Sequence, residues 1–105
     1  MPNTKVLAVC SPTAERLINE RPGLEARSAG TEPSARIRGN EKLIVWADII
    51  LVMERRHLRR LKDRFPDLMS DKTVHSLAIP DDYRYMDKEL VDLLNARIDE
   101  LPTQS

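Results

Sequence analysis

Five consecutive large apolar residues, Ile49 to Met53, place the tightest constraint on how this chain can fold. A strand made of such residues needs cover on both faces, which a parallel sheet with helices on each side provides. A second short apolar run extends from Lys5 to Cys10. We therefore predict a central strand over 48–53 and a first strand over 5–10.

Four other segments carry the signals of helices. Ser11 followed by Pro12 is typical of a helix start, because serine caps free amides and proline lacks the N–H that would have no partner there. Segment 54–65 spaces its apolar residues by three and four, with arginine and lysine on the other face, which predicts an amphipathic surface helix. The other two helices are predicted over about 40–46 and from a cap at Asp87 to Leu101.

Weaker strand signals over 24–29 and 74–79 complete a pattern in which strand and helix alternate four times. Such alternation is typical of a doubly wound α/β fold, here a four-stranded parallel sheet flanked by helices. A length of 105 residues fits a single domain over 1–105, and 41% hydrophobic residues suffice for its core.

Charge and cysteine content narrow the classes of partner. Lys plus Arg and Asp plus Glu both number 17, so we expect neither a nucleic acid nor a membrane partner, and a solvated basic face on the 54–65 helix. One cysteine and two histidines are too few ligands for a structural zinc site, so we expect no bound metal. The lone cysteine and the short apolar stretch after the N-terminus predict a cytoplasmic protein.

Cys10 is the candidate for chemistry. In doubly wound sheets ligands bind beyond the carboxyl ends of the strands, and Cys10 stands at such an end, before the predicted helix. The positive end of a helix favours a thiolate and also binds phosphate. The alternative is that Cys10 is a small buried apolar residue, as free cysteines often are. Tyr83 and Tyr85 are candidates for the mouth of a substrate pocket.

Several short motifs in this order resemble the low-molecular-weight protein tyrosine phosphatase family. They cover nearly the whole chain and consist of Val6 to Cys10, Ser11-Pro12-Thr13-Ala14-Glu15, Ser28-Ala29-Gly30-Thr31, Trp46 to Met53, and Ile79-Pro80-Asp81-Asp82-Tyr83. The last motif is most similar to a short bacterial branch of predicted phosphatases. The resemblance implies a flavodoxin-like four-stranded parallel sheet and hydrolysis of phosphotyrosine or another phosphomonoester without a cofactor.

The resemblance also implies roles for individual residues. Cys10 would be the nucleophile that forms a thiophosphate, and Ser11 would hydrogen-bond its thiolate. Asp81 would protonate the leaving oxygen, with Asp82 as the second choice, although both residues are also ordinary turn formers. Tyr83 would contact the substrate. The expected partners are a phosphorylated protein or a small phosphomonoester, with inorganic phosphate or sulfate able to occupy the loop.

The phosphate-binding loop of the family, C-x5-R-[ST], is missing from this sequence, because Ser11 and Pro12 follow Cys10 directly. Arg16 satisfies the C-x5-R spacing, but we reject that register since Pro12 has no N–H to offer phosphate and Leu17 replaces the expected hydroxyl residue.

A strand that ends at Cys10 and a helix capped by Ser11 leave no connecting residues, whereas such loops usually have about 2 to 6. We therefore hypothesise that about six residues have been lost at this point. A continuous peptide would instead indicate a catalytically inactive phosphatase fold, acting as an anion-binding or protein-interaction module. Thiol-relay arsenate reduction is excluded, because it needs further cysteines and the chain has one.

Overall fold

The structure is a computed structural model that describes residues 3–29, 37–80 and 82–101. Strands and helices alternate along these ranges, and no helix within them is long and apolar enough to cross a membrane. The elements are β1 (Thr4–Val9), α1 (Pro12–Asn19), β2 (Leu24–Ala29), α2 (Ile37–Trp46), β3 (Ile49–Val52), α3 (Arg55–Arg64), α4 (Pro66–Met69), β4 (Thr73–Ser76) and α5 (Lys88–Asp99).

The four strands form one parallel sheet in the order β2-β1-β3-β4. Val9 at the end of β1 pairs with Ala29 on one side and with Val52 on the other, and Val52 pairs in turn with Ser76. The carboxyl ends of all four strands therefore lie at one edge of the sheet. This architecture confirms the predicted doubly wound α/β fold.

Both faces of the two inner strands are buried, as the apolar runs predicted. Alternate residues of β1 and β3, among them Ala8 and Leu51, pack toward α1 and α5, while Leu7 and Ile50 pack on the opposite face with residues of α2 and α3. Helices thus cover the sheet on both sides, which is why Val6 to Val9 and Ile49 to Val52 are all apolar.

The predicted helix caps are also present. The Ser11 hydroxyl oxygen accepts the Ala14 amide at 3.1 Å, and Asp87 accepts the Glu89 amide at 2.9 Å. His57 is buried and accepts the Glu54 amide on Nδ1 at 3.1 Å, which completes a capping box at the start of α3. His57 is therefore a structural residue.

Several element boundaries differ from the predictions. Helix α2 begins about three residues earlier than expected, and the four-residue helix α4 was not predicted. Strand β4 was predicted to reach Ile79 but ends at Ser76, because Ala78 has a φ of 55° and leaves the extended conformation. Leu77 and Ile79 nevertheless still donate their amides to β3 and its continuation, at 2.8 and 3.0 Å.

The prediction that the chain cannot turn between Cys10 and Ser11 without further residues is wrong. Strand β1 ends at Val9, one residue earlier than predicted, so that two residues connect it to α1. Cys10 takes a left-handed φ of 63° and Ser11 an extended φ of −144°, and the chain runs continuously through both. A left-handed conformation costs a non-glycine residue about 1–2 kcal/mol. The turn is therefore at the short end of the usual range, and it is strained.

Helix α5 offers a matched test of the core between the sheet and its helices. Leu94 is fully buried at 0% exposure, whereas the adjacent Leu93 is 36% exposed. We expect Leu94→Ala to lower the free energy of unfolding by about 2–5 kcal/mol, because it leaves a cavity in the core. Leu93→Ala should cost well under half as much in the same urea unfolding experiment. Equal losses would contradict this placement of α5.

Candidate active site

A pocket of about 240 Å³ opens at the carboxyl edge of the sheet, where β1 meets α1. The half-buried Cys10 forms part of its wall. The lining residues come from the turn before α1 and its first residues, the residue after β3, the chain between β4 and α5, and the start of α5, namely Cys10, Ser11, Pro12, Thr13, Met53, Pro80, Tyr83, Tyr85 and Leu90. A ligand here would sit beyond the strand ends, as in other sheets of this class.

Three of the five residues predicted for the site meet in this pocket. Cys10, Ser11 and Tyr83 line it, together with Tyr85, which was also a candidate. Asp82 is exposed and lies beside the pocket, next to Tyr83, without lining it. Asp81 lies outside the described residues.

Sequence reasoning missed other parts of the wall, notably Thr13, Met53 and Leu90. The position of Met53 was accessible in principle, because it directly follows β3 and parallel strands end at the same edge. Thr13 and Leu90 carried no such signal, since each lies on a helix whose placement depends on tertiary packing.

The first turn of α1 has most of its amides already engaged. The Ser11 side-chain oxygen accepts the Ala14 amide at 3.1 Å, and the Ser11 carbonyl accepts the Glu15 amide at 3.2 Å. Pro12 has no N–H. In this turn the Thr13 amide is therefore left for a ligand, and the Ser11 hydroxyl hydrogen can donate to a neighbouring thiolate or anion.

Cys10 has apolar neighbours as well as a place in the pocket wall. It packs against the cluster of buried residues on the α2 and α3 face of the sheet, and its amide donates to the Ala29 carbonyl at 2.6 Å. Cys10 therefore has the surroundings of a thiol at a ligand site on one side and of a buried apolar residue on the other.

The segment after β4 is attached to α1 beside the pocket. The Thr13 hydroxyl accepts the Met86 amide at 2.9 Å, and Arg16 donates from Nη1 to the Tyr85 hydroxyl at 3.4 Å. This hydrogen bond, followed by the nearby Glu20, raises the pKa of Arg16. Arg16 thus contacts the outer side of the pocket wall without lining the pocket, in agreement with our rejection of it as the loop arginine.

Tyr83 contributes a neutral hydroxyl to the pocket. Loss of solvent contact raises the pKa of this phenol above its usual value, and the negative charge of Glu89 raises it further. Tyr83 is therefore protonated at neutral pH, and its single hydroxyl hydrogen bonds to the Glu89 side chain. Among the residues that the structure describes, no group of three His, Cys, Asp or Glu side chains is placed to hold a metal ion.

Among the comparisons with known proteins, only the comparison with solved structures supports the fold. No family model matches the sequence, and no curated protein matches it either. Solved structures do match. Vibrio vulnificus Wzb in complex with benzylphosphonate has 22% identity and a TM-score of 0.66, over 94% of this chain and 99% of its own.

Two further structures match over similar lengths. A mutant of the YwlE arginine phosphatase, with serine in place of cysteine and that active-site serine phosphorylated, has 22% identity and a TM-score of 0.61 over 92% of this chain and 95% of its own. A low-molecular-weight protein tyrosine phosphatase from Bacillus subtilis has 24% identity and a TM-score of 0.58 over 90% and 95%. The chain therefore has the fold of the low-molecular-weight protein tyrosine phosphatases, as its resemblance implied.

Ser11 lines the pocket and also caps α1, and its role as a cap leads to a stability prediction. Ser11→Ala removes the side-chain cap of α1, and we expect it to lower the free energy of unfolding by about 0.5–2 kcal/mol. Ser76→Ala, at the exposed end of β4, is the matched control and should have little effect on chemical denaturation. Equal effects of the two substitutions would show that Ser11 does not act as a cap.

Proposed function

We propose that this chain is a member of the low-molecular-weight phosphatase family that hydrolyses phosphomonoesters through a thiophosphate on Cys10. The observation that carries the proposal is the position of Cys10 in the pocket, between the carboxyl end of β1 and the first turn of α1. The phosphorylated serine that replaces cysteine in one structural neighbour, and the benzylphosphonate bound to another, are consistent with this chemistry.

The reaction proceeds in two steps. The Cys10 thiolate attacks phosphorus, the phosphorus–oxygen bond to the leaving group breaks, and an aspartic acid protonates the departing oxygen. Asp81 is the preferred acid by resemblance, and Asp82 is the alternative. Water then attacks the thiophosphate, the same carboxylate accepts a proton from the water, the phosphorus–sulfur bond breaks, and phosphate leaves while the Cys10 thiolate is regenerated. Ser11 donates to the thiolate, and Tyr83 contacts the substrate.

Because only two residues connect β1 to α1, we expect a low rate of hydrolysis. The equatorial oxygens of the phosphoryl group would receive a hydrogen bond from the Thr13 amide, but no arginine lines the described part of the pocket. Loss of one preorganised donor to a developing charge costs about 10²–10³ in rate. We therefore expect hydrolysis far below that of an enzyme with a complete loop.

A second candidate function is binding of an anion or a phosphorylated protein without hydrolysis. One observation favours it, namely the packing of Cys10 against apolar neighbours. A continuous chain through Cys10 and Ser11 was also the condition under which the sequence predicted such an inactive module.

Hydrolysis of p-nitrophenyl phosphate decides between these functions. We expect slow release of nitrophenol between about pH 5 and 7, and no release by Cys10→Ser. Asp81→Asn and Asp82→Asn, assayed side by side, identify the acid as the one with the larger loss of kcat. Wild-type activity no greater than that of Cys10→Ser would reject hydrolysis and leave the binding function.

Restoring the loop is the complementary gain-of-function experiment. We expect that inserting six residues between Cys10 and Ser11, ending in arginine so that C-x5-R-S is formed, raises kcat/KM by about 10²–10³ or more. The same insertion with methionine in place of arginine is the control and should gain much less. If the two insertions hydrolyse p-nitrophenyl phosphate equally fast, this pocket is not a phosphoryl site.

A further inference from the structure

A second depression, of about 330 Å³, lies beside the Cys10 pocket at the same edge of the sheet. Glu54, Arg55, Ser76, Ala78 and Pro80 line it. Pro80 also lines the Cys10 pocket, so the two depressions share a wall. The two depressions are therefore neighbours on the surface.

The floor of the second depression is fixed to the sheet. Leu77 and Ile79 are buried and donate their amides to the carbonyls of Val52 and Met53 at 2.8 and 3.0 Å. Ser76, Ala78 and Pro80 alternate with these two residues and are exposed. The two hydrogen bonds therefore fix the positions of these exposed residues relative to the sheet.

Two charged residues, Glu54 and Arg55, line the described part of the second depression. The Glu54 carboxylate pairs with Arg56 at 3.1 Å and accepts the amide of His57 in the capping box, so its negative charge is compensated within α3. Arg55 is exposed, and no carboxylate in the described ranges pairs with it. Arg55 is therefore the charge that the depression presents to a ligand.

We propose that this second depression is a subsite for an acidic residue next to the phosphorylated residue of a protein substrate. The carboxylate of that residue pairs with the guanidinium of Arg55 while the phosphoryl group occupies the Cys10 pocket. The placement of the phosphoryl group in the Cys10 pocket rests on the proposed function. The placement of the carboxylate at Arg55 rests on the positive charge of that residue and on the wall that the two depressions share at Pro80.

The test is a binding measurement that needs no turnover. Two fluorescent phosphotyrosine peptides, identical except for glutamate or glutamine beside the phosphotyrosine, are titrated with Cys10→Ser protein and followed by anisotropy. We expect the glutamate peptide to bind about two- to fivefold more tightly, as an exposed ion pair would provide. The preference should shrink as salt screens the charges.

Two arginine variants in the same Cys10→Ser background identify the partner. Arg55→Gln should abolish the preference for glutamate, whereas Arg59→Gln, an exposed arginine one turn further along α3, should retain it. Equal binding of both peptides, or a preference that survives Arg55→Gln, overturns the subsite. A preference that depends on Arg55 supports the subsite even if the wild type hydrolyses no phosphomonoester, in which case only the hydrolytic function fails.

Discussion

Parallel pairing of β1 with β2 on one side and β3 on the other is the interaction on which the rest of this structure depends. It satisfies the backbone groups along both edges of β1 and brings the carboxyl ends of the strands to one edge of the sheet. The start of α1, the residue after β3 and the chain after β4 consequently meet there, although they are far apart in the sequence. The pocket at Cys10 is a direct result of this register.

The turn at Cys10 shows how loosely a fold and its catalytic loop can be coupled. The chain matches solved phosphatase structures along more than nine-tenths of its length, and only two residues connect β1 to α1. Loops contribute little to a core, so a shortened one can be accommodated by a single strained residue. Under the proposed function, the core cannot replace the hydrogen-bond donors of a longer loop, because stabilising a phosphoryl group requires donors at fixed positions.

Charge in this protein acts locally, since the whole chain is neutral. Two neighbouring residues at the start of α3, Glu54 and Arg55, illustrate this, because they differ in the charge that they offer to a ligand. Glu54 is neutralised by Arg56 and by the helix amides, while Arg55 faces solvent. The expectation of a solvated basic face on α3 therefore describes most of that helix, but it does not distinguish the arginine that lines a depression from those that do not.

The sequence alone determined the fold class, the residues of both buried strands, the caps at Ser11 and Asp87 and the place of Cys10 at a strand end. These features follow from apolar runs and from caps that act within one turn, so neighbouring residues suffice to predict them. Tertiary structure decided how Cys10 turns the chain, which residues close the pocket, and that the second depression shares Pro80 with the first. Those features depend on contacts between residues far apart in the chain, and the distances of such contacts are fixed only when the whole sheet has packed.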